Sequence, residues 1–223
     1  MFDIVVAADL DWGIGKANGL PWPKLRGDLQ HFKRITSTAS DGRRNAVVMG
    51  RKTWQSKEVA GKPLHNRLNV VITRGELAAP AGVIVAHSLD EALAVDDVDA
   101  VFVVGGTVVF RDAIERSDLR HVYLTRIYQR FGCDVRMPDL DARGFVHDEW
   151  EGEREAEEFE VRYRIERPDL RYVYLTRIAQ TFDCDIKMPD LDAQGFVRAA
   201  WDGERAAEEY GVPYRIERLA RAG

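Results

Sequence analysis

The sequence predicts an α/β domain built on a largely parallel sheet, followed by a β-rich arm that is present twice. Three observations carry this. Short apolar runs alternate with helix-periodic stretches through residues 1–117, the pattern of strands joined by crossover helices. Residues 118–167 then return as residues 169–218, a shift of 51, with 35 of 50 aligned positions identical. Finally, 223 residues at 45% hydrophobic are enough for a sizeable core and exclude a disordered or collagen-like chain.

The elements follow in order. Ile4-Val5-Val6-Ala7-Ala8 is a continuous apolar run ended by polar turn residues, as in a buried strand. Residues 9–27, rich in glycine and proline, read as a long loop. From Asp28 to about Thr36, the spacing of Leu29, Phe32 and Ile35 predicts a helix. Ala46-Val47-Val48-Met49 is a second strand, and Gly50-Arg51-Lys52-Thr53 opens a second helix. Asn69-Val70-Val71-Ile72-Thr73 and Val83-Ile84-Val85-Ala86 are further strands. Ser88 is placed to cap a helix over residues 89–93, with Glu91 completing a capping box. Val101-Phe102-Val103-Val104 is a fifth strand, and after Gly105-Gly106 a helix runs from Thr107 to about Arg116. Each repeat copy offers Val-Tyr-Leu-Thr-Arg-Ile, a loop, Gly-Phe-Val and an alternating Tyr-Arg-Ile-Glu-Arg, which suits a β-meander. Two copies are too few for a solenoid, so the pattern is that of a tandem duplication of part of a domain.

Composition narrows the function. With 32 Lys+Arg against 37 Asp+Glu, the net charge of −5 argues against nucleic acid as the main partner. No apolar run approaches the roughly 20 residues that span a membrane. Met1 leads into Phe-Asp-Ile-Val-Val-Ala-Ala without a basic n-region, so the expectation is a cytoplasmic protein without a secretory signal. Cys133 and Cys184 are repeat equivalents without metal-ligand spacing, so neither a disulfide framework nor a metal site is expected.

Four features could carry chemistry. Gly50-Arg51-Lys52-Thr53 and Gly105-Gly106-Thr107 are strand-to-helix junctions where unpaired N–H groups favour a phosphate. They read equally as a charged helix start and a tight turn, and neither matches the Gly-x-Gly-x-x-Gly dinucleotide fingerprint. Asp28 heads the first helix one turn before Phe32, either as a simple N-cap or as a working carboxylate. Arg67 is either a solvated loop arginine or a bidentate clamp for a carboxylate.

Order and spacing are more specific than these parts. Ala7, Gly15, Leu20-Pro21-Trp22 and Asp28-Leu29-Gln30-His31-Phe32-Lys33 are followed by Val48-Met49-Gly50-Arg51-Lys52-Thr53-Trp54. Gly61-Lys62-Pro63-Leu64, Arg67-Leu68-Asn69, Val103-Val104-Gly105-Gly106 and Tyr123-Leu124-Thr125 complete the series. Over residues 1–167 the chain resembles dihydrofolate reductase. The resemblance implies a three-layer fold with a mostly parallel central sheet flanked by helices, here with an extra, duplicated C-terminal meander. It also implies NADPH-dependent reduction of 7,8-dihydrofolate to tetrahydrofolate, with dihydrofolate and antifolates as ligands. Asp28 matches the acid that binds the pterin, and Thr125 the threonine bonded to it. Val5, Ala7, Leu29, Phe32 and Val104 match the apolar walls, Phe110 a position near the nicotinamide, and Arg67 the arginine for the glutamate tail. Leu20 and Trp22 fall in the loop that closes over the nicotinamide, with Ile14 and Gly15 beside the cofactor. Gly50, Arg51, Lys52, Thr53, Thr73, Arg74, Gly105, Gly106 and Thr107 match the segments around its phosphates.

The chain departs from the family pattern in places. Residues 57–60 form a longer loop, and Val108 lacks a charge that some members place beside the pyrophosphate. The pattern has no place for the second copy. The expected division is a catalytic domain at residues 1–167 and a surplus copy at 168–223, in a monomer or in a homodimer formed through that copy. Two other readings are the related pyrimidine reductase of riboflavin synthesis and an inactive, oligomerising paralogue.

Overall fold

The computed structural model describes residues 1–40, 42–148, 153–169, 172–178, 196–199, 205–209 and 212–221. Along the chain come β1 (Phe2–Ala8), β2 (Gly13–Gly15), α1 (Arg26–Ser37), β3 (Arg44–Gly50), α2 (Arg51–Trp54), β4 (Arg67–Ile72), β5 (Val83–Ala86), α3 (Leu89–Leu93), β6 (Val98–Gly105) and α4 (Thr107–Ile114). The first repeat copy supplies β7 (Leu119–Ile127), β8 (Val135–Arg136), β9 (Val146–Asp148), β10 (Arg154–Glu158) and β11 (Val161–Asp169). The second supplies β12 (Tyr172–Ile178), β13 (Phe196–Ala199), β14 (Arg205–Glu209) and β15 (Val212–Arg221).

The apolar runs become the middle of one sheet because both of its faces are covered. Ile4, Val47, Val48, Val70 and Val103 are all fully buried, which explains continuous rather than alternating hydrophobicity. The strand order is β10-β11-β7-β1-β6-β3-β4-β5, with β9 also pairing with β11. β7 through β5 on this path pair in parallel, whereas β11 runs antiparallel to both β7 and β10. A small second sheet joins β2 to β8. Among the described residues, no helix is long and apolar enough to cross a membrane.

Several local expectations change. The first copy is not a simple meander, because β11 sits between β7 and β10, so the last strand pairs with the first. The hairpin joining β10 to β11 turns at Phe159 and Glu160, with φ of 53° and 62°. Two left-handed residues make a primed turn, here without the glycine that signals one in sequence. Helix α1 starts at Arg26 with Leu25 at its N-cap, so Asp28 lies inside the first turn and is not the cap. At α3, Ser88 Oγ accepts from Glu91 N at 3.0 Å as expected, but Glu91 Oε2 accepts from His87 N, one residue before the cap.

The chain divides into two units, residues 1–139 with 147–168, and residues 140–146 with 169–223. In the second, β15 lies between β12 and β13, and β14 also pairs with β15. Its register repeats the first copy shifted by 51. Ile165 faces Thr125 and Arg154 in the first copy, and Ile216 faces Thr176 and Arg205 in the second. Cys184 and the Met188-to-Asp192 motif lie outside the described residues.

Candidate active site

In an open parallel sheet, ligands bind beyond the carboxyl ends of the strands. Here those ends bring together Ala7 on β1, Thr125 on β7, Gly50 on β3 and Gly105 on β6. Ala7 faces Thr125, and Met49 faces Gly105, in register.

Asp28 is 9% exposed, and its Oδ1 accepts a hydrogen bond of 2.7 Å from Thr125 Oγ1. Among the described residues, Thr125 is the only hydrogen-bond donor to this carboxylate, which leaves Oδ2 for a ligand. Burial raises the Asp28 pKa above the usual carboxylate range. The Thr125 bond and the Arg154 charge oppose this, and the charge of Glu158 adds to it.

The helix holding Asp28 is clamped at its first turn by the β10–β11 hairpin. Glu158 Oε2 accepts from Arg26 N at 2.7 Å and Oε1 from Gly27 N at 2.8 Å, so a carboxylate serves the orphan donors that Leu25 leaves open. Tyr163 donates its hydroxyl to Glu158 Oε1 at 2.6 Å, and Arg154 Nη2 donates to Gly27 O at 3.0 Å. A Cβ at Gly27 would meet the Tyr163 oxygen at 2.2 Å, so only glycine fits there. No local periodicity announces this clamp, since Glu158 is 131 residues from Gly27.

Sequence reasoning also missed His31, one turn after Asp28. It is 2% exposed, and burial, then the charges of Arg154 and Arg34, lower its pKa to about 4, so it is neutral.

The loop over residues 9–24 is tied down at several points. Asp9 Oδ1 accepts from Asp11 N and Gly13 N, and Oδ2 from Phe131 N and Cys133 Sγ. Burial and the Asp9 carboxylate push the Cys133 thiol up to about 11, which keeps it protonated. Ala17 N donates to Asp134 Oδ2 at 3.0 Å, and Leu20 N to Glu58 Oε1 at 3.0 Å. Trp22 is 5% exposed and meets Phe131 edge-on at 5.8 Å. Leu20 packs on the same cluster, formed by Trp22, Leu25, Ile127, Val161, Tyr163 and Ile165. The indole Nε1 of Trp22 is buried and has no acceptor among the described residues. Ile14 and Gly15 are half-buried in β2.

The apolar wall is mixed. Val5 is buried, and Phe32 and Val104 pack against its cluster. Ala7 is half-buried against the Trp22 cluster, and Leu29 is 39% exposed. Phe110 on α4 is only 2% exposed, so its ring is largely an interior group. Arg67 opens β4 rather than lying in a loop. Its Nη1 donates to Thr36 Oγ1 at 2.7 Å and its Nε to His65 O at 3.0 Å, with the guanidinium 5.8 Å from the Phe32 ring. A carboxylate would therefore meet the second Nη1 hydrogen and Nη2.

The two junctions lie side by side. A Cβ at Gly105 would approach Thr53 Oγ1 to 2.8 Å, and one at Gly106 to 3.1 Å. Gly105 has φ of +144°, and its bond to Gly106 is cis. This corner lies between the starts of α2 and α4, and the missing side chains at Gly105 and Gly106 let the Thr53 side chain pack directly on their backbone. Arg51, Lys52 and Arg74 are exposed; among the described residues, Arg51 is held only by a 3.5 Å contact to Glu76 O. Thr73 and Thr107 are more committed. Thr73 Oγ1 accepts from Gly75 N, and Thr107 Oγ1 donates to Arg136 O at 2.7 Å.

Comparison with known proteins agrees with this geometry. A family model described as dihydrofolate reductase matches residues 1–169. A curated dihydrofolate reductase of Gallus gallus is 41% identical over 150 residues, covering 63% of this chain and 79% of its own length. A putative dihydrofolate reductase of human herpesvirus 8 is 34% identical over 196 residues, covering 84% of this chain and 90% of the viral protein. Among solved structures, Schistosoma mansoni dihydrofolate reductase has a TM-score of 0.66 at 34% identity, covering 76% of this chain and 97% of that one.

Proposed function

Because the chain belongs to the dihydrofolate reductase family, we propose that Asp28 is its substrate-orienting carboxylate, with Thr125 as the group that holds it. The chain is an oxidoreductase that reduces dihydrofolate to tetrahydrofolate with a nicotinamide cofactor; the pyrimidine reductase and inactive readings are not favoured. The observation carrying the role assignment is the 2.7 Å bond from Thr125 to buried Asp28.

A bound nicotinamide cofactor supplies the hydride that goes to C6 of the substrate. The chain's own residues do the rest. Asp28 accepts charge-assisted hydrogen bonds from the amidine-like edge of the pterin, which selects one ring orientation. Burial makes its proton easier to hold, which suits a group that helps to deliver a proton to N5. Antifolates with a similar edge meet the same carboxylate. Arg67 holds the glutamate tail, Val5, Ala7, Leu29, Phe32 and Val104 form the apolar surround, and interior Phe110 backs it. Leu20 and Trp22 exclude water over the ring, with Ile14 and Gly15 beside them.

The cofactor is NADPH in this reading. Gly50, Thr53, Gly105, Gly106 and Thr107 lie at the two helix starts that would face its pyrophosphate, and Thr73 follows the neighbouring strand β4. Arg51, Lys52 and Arg74 supply the cations that a 2′-phosphate needs. The catalytic unit is residues 1–167, supported by the presence of Thr125, Arg154 and Glu158 on strands of the main sheet. Residues 168–223 are a duplicate of its C-terminal arm.

Asp28→Asn tests the carboxylate. Turnover, followed at 340 nm with dihydrofolate and NADPH, should fall by about 10²–10⁴-fold near neutral pH while cofactor binding is retained. A near-unchanged rate at pH 7 would reject the assignment.

A further inference from the structure

The two arms share more than overall similarity. The edge of β7 that pairs with β1 is Leu-Arg-His-Val-Tyr-Leu-Thr-Arg-Ile, and residues 170–178 repeat it with one change, His121 to Tyr172. Within each arm the strands pair in the same register. In the second arm, β12 pairs on one side only among the described residues, and the open side corresponds to the one that β7 gives to β1. An open strand edge is a template for a partner strand.

The side chains by which the first arm reaches residues 1–116 are largely kept. Arg120, which bonds buried Asp3, is repeated as Arg171, and Thr125 as Thr176. Phe131, Asp134, Arg154 and Glu158 are repeated as Phe182, Asp185, Arg205 and Glu209. Among these reaching side chains the losses are His121, which shares Asp3 with Arg120, and Arg130, which becomes Thr181. Arg130 makes an exposed ion pair with Asp11, which contributes little. The second arm also has Gly211 where Glu160 adopts φ of 62°, a residue better suited to that turn.

We propose that residues 169–218 exchange with residues 118–167 for the edge of β1, so that Thr176 and Glu209 take over from Thr125 and Glu158 in holding the Asp28 helix. The occupant of the β12 edge is β1 of the same chain. This rests on the reading that one arm completes the catalytic unit, and its test does not depend on which reaction that unit performs. Chain connectivity sets the balance. The first arm follows α4 after about 4 residues, the second after about 55, and closure probability falls as the −3/2 power of length. The exchanged form is thereby disfavoured by roughly 50-fold, a minor population that a defect in the first arm would promote.

The test places a charge in either arm of the full chain and reads amide hydrogen exchange along β1. Leu124 is fully buried on β7, and its repeat equivalent is Leu175. Leu124→Asp should leave β1 protected, with protection lowered by roughly 50-fold rather than lost, and β12 amides should slow to match. Leu175→Asp should leave β1 unchanged, and the double variant should lose β1 protection altogether. If Leu124→Asp exchanges as fast as the double variant, or simply unfolds, the second arm cannot replace the first and the proposal is wrong. Loss of β1 protection in Leu175→Asp alone would equally overturn it.

Discussion

Replacing Glu158 by glutamine keeps the side chain's shape and removes its charge. Made together with Glu209→Gln, the change leaves both arms alike. Glu158 accepts from Arg26 N, Gly27 N and Tyr163 OH at 2.7, 2.8 and 2.6 Å. Glutamine offers one acceptor oxygen and turns an N–H₂ toward a backbone N–H, so one of the two helix donors loses its protein partner. A charge at a helix N-terminus contributes about 0.3–1 kcal/mol, and a hydrogen bond to a charged group about 1.5–3 kcal/mol. Glu158 is only half-buried, so solvent screens part of this, and a loss of about 1–2 kcal/mol is expected. For a chain of this size that is a fall in Tm of about 2–8 °C, read by thermal unfolding at neutral pH. The second consequence has the opposite flavour. The Glu158 charge helps to raise the Asp28 pKa, so its removal lets Asp28 ionise at lower pH. The alkaline limb of kcat/KM for dihydrofolate, where Asp28 loses its proton, should move to lower pH. An unchanged Tm, or a limb that moves to higher pH, would refute the clamp and its electrostatic link to Asp28.

Asp28→Asn should raise Tm at pH 7 while it removes activity. Its folded pKa is raised, so ionising it opposes folding at neutral pH, and the gain should vanish as pH falls below 3.8. Arg51→Ala should raise KM for NADPH by about tenfold and leave that for NADH nearly unchanged, because one charged contact to the 2′-phosphate is lost. Equal effects on both would move the phosphate site elsewhere. Arg67→Ala should weaken folates with a glutamate tail by about tenfold and spare inhibitors without one, as read by competition binding. His31→Gln should flatten acid unfolding. The depressed pKa of about 4, against 6.5 when unfolded, means that His31 removes stability as pH falls through that window, by up to about 3 kcal/mol. Denaturant titrations at each end of the window would find no difference if His31 were solvated.

Much of the fold was legible because its signals are local. The β3 run Ala46-Val47-Val48-Met49 is apolar throughout because its residues are buried on both faces, and that leaves a mark in any window of the sequence. Leu29, Phe32 and Ile35 likewise marked α1. The β10–β11 hairpin left no such mark. Its turn places Phe159 and Glu160 in left-handed conformations without glycine, and Arg154-Glu155-Ala156-Glu157-Glu158 is too polar to read as a strand. It is held instead by pairing with β11, which buries Tyr163 and Ile165.

The candidate site divides in the same way. Asp28 could be singled out from its place at the head of the first helix, whereas Thr125, whose local motif recurs around Thr176, was marked by the family resemblance. That their side chains meet at 2.7 Å follows from β7 lying beside β1, a pairing between residues more than a hundred positions apart. The Gly105-Gly106 pair could be read as a close-approach corner, but the neighbour it approaches, Thr53, was set only by β3 and β6 becoming parallel partners.

The sequence by itself determined the alternation of strands and helices, the family motifs and the presence of two arms, because each depends on neighbouring residues or on direct self-comparison. Tertiary structure alone decided that Glu158 caps the helix of Asp28, that Arg67 gives a donor to Thr36, and that the last strand of an arm pairs with its first. Those are contacts between residues distant in the chain. Their energies arise from burial and hydrogen bonding that exist only after the sheet has assembled, and no periodicity or spacing records them beforehand.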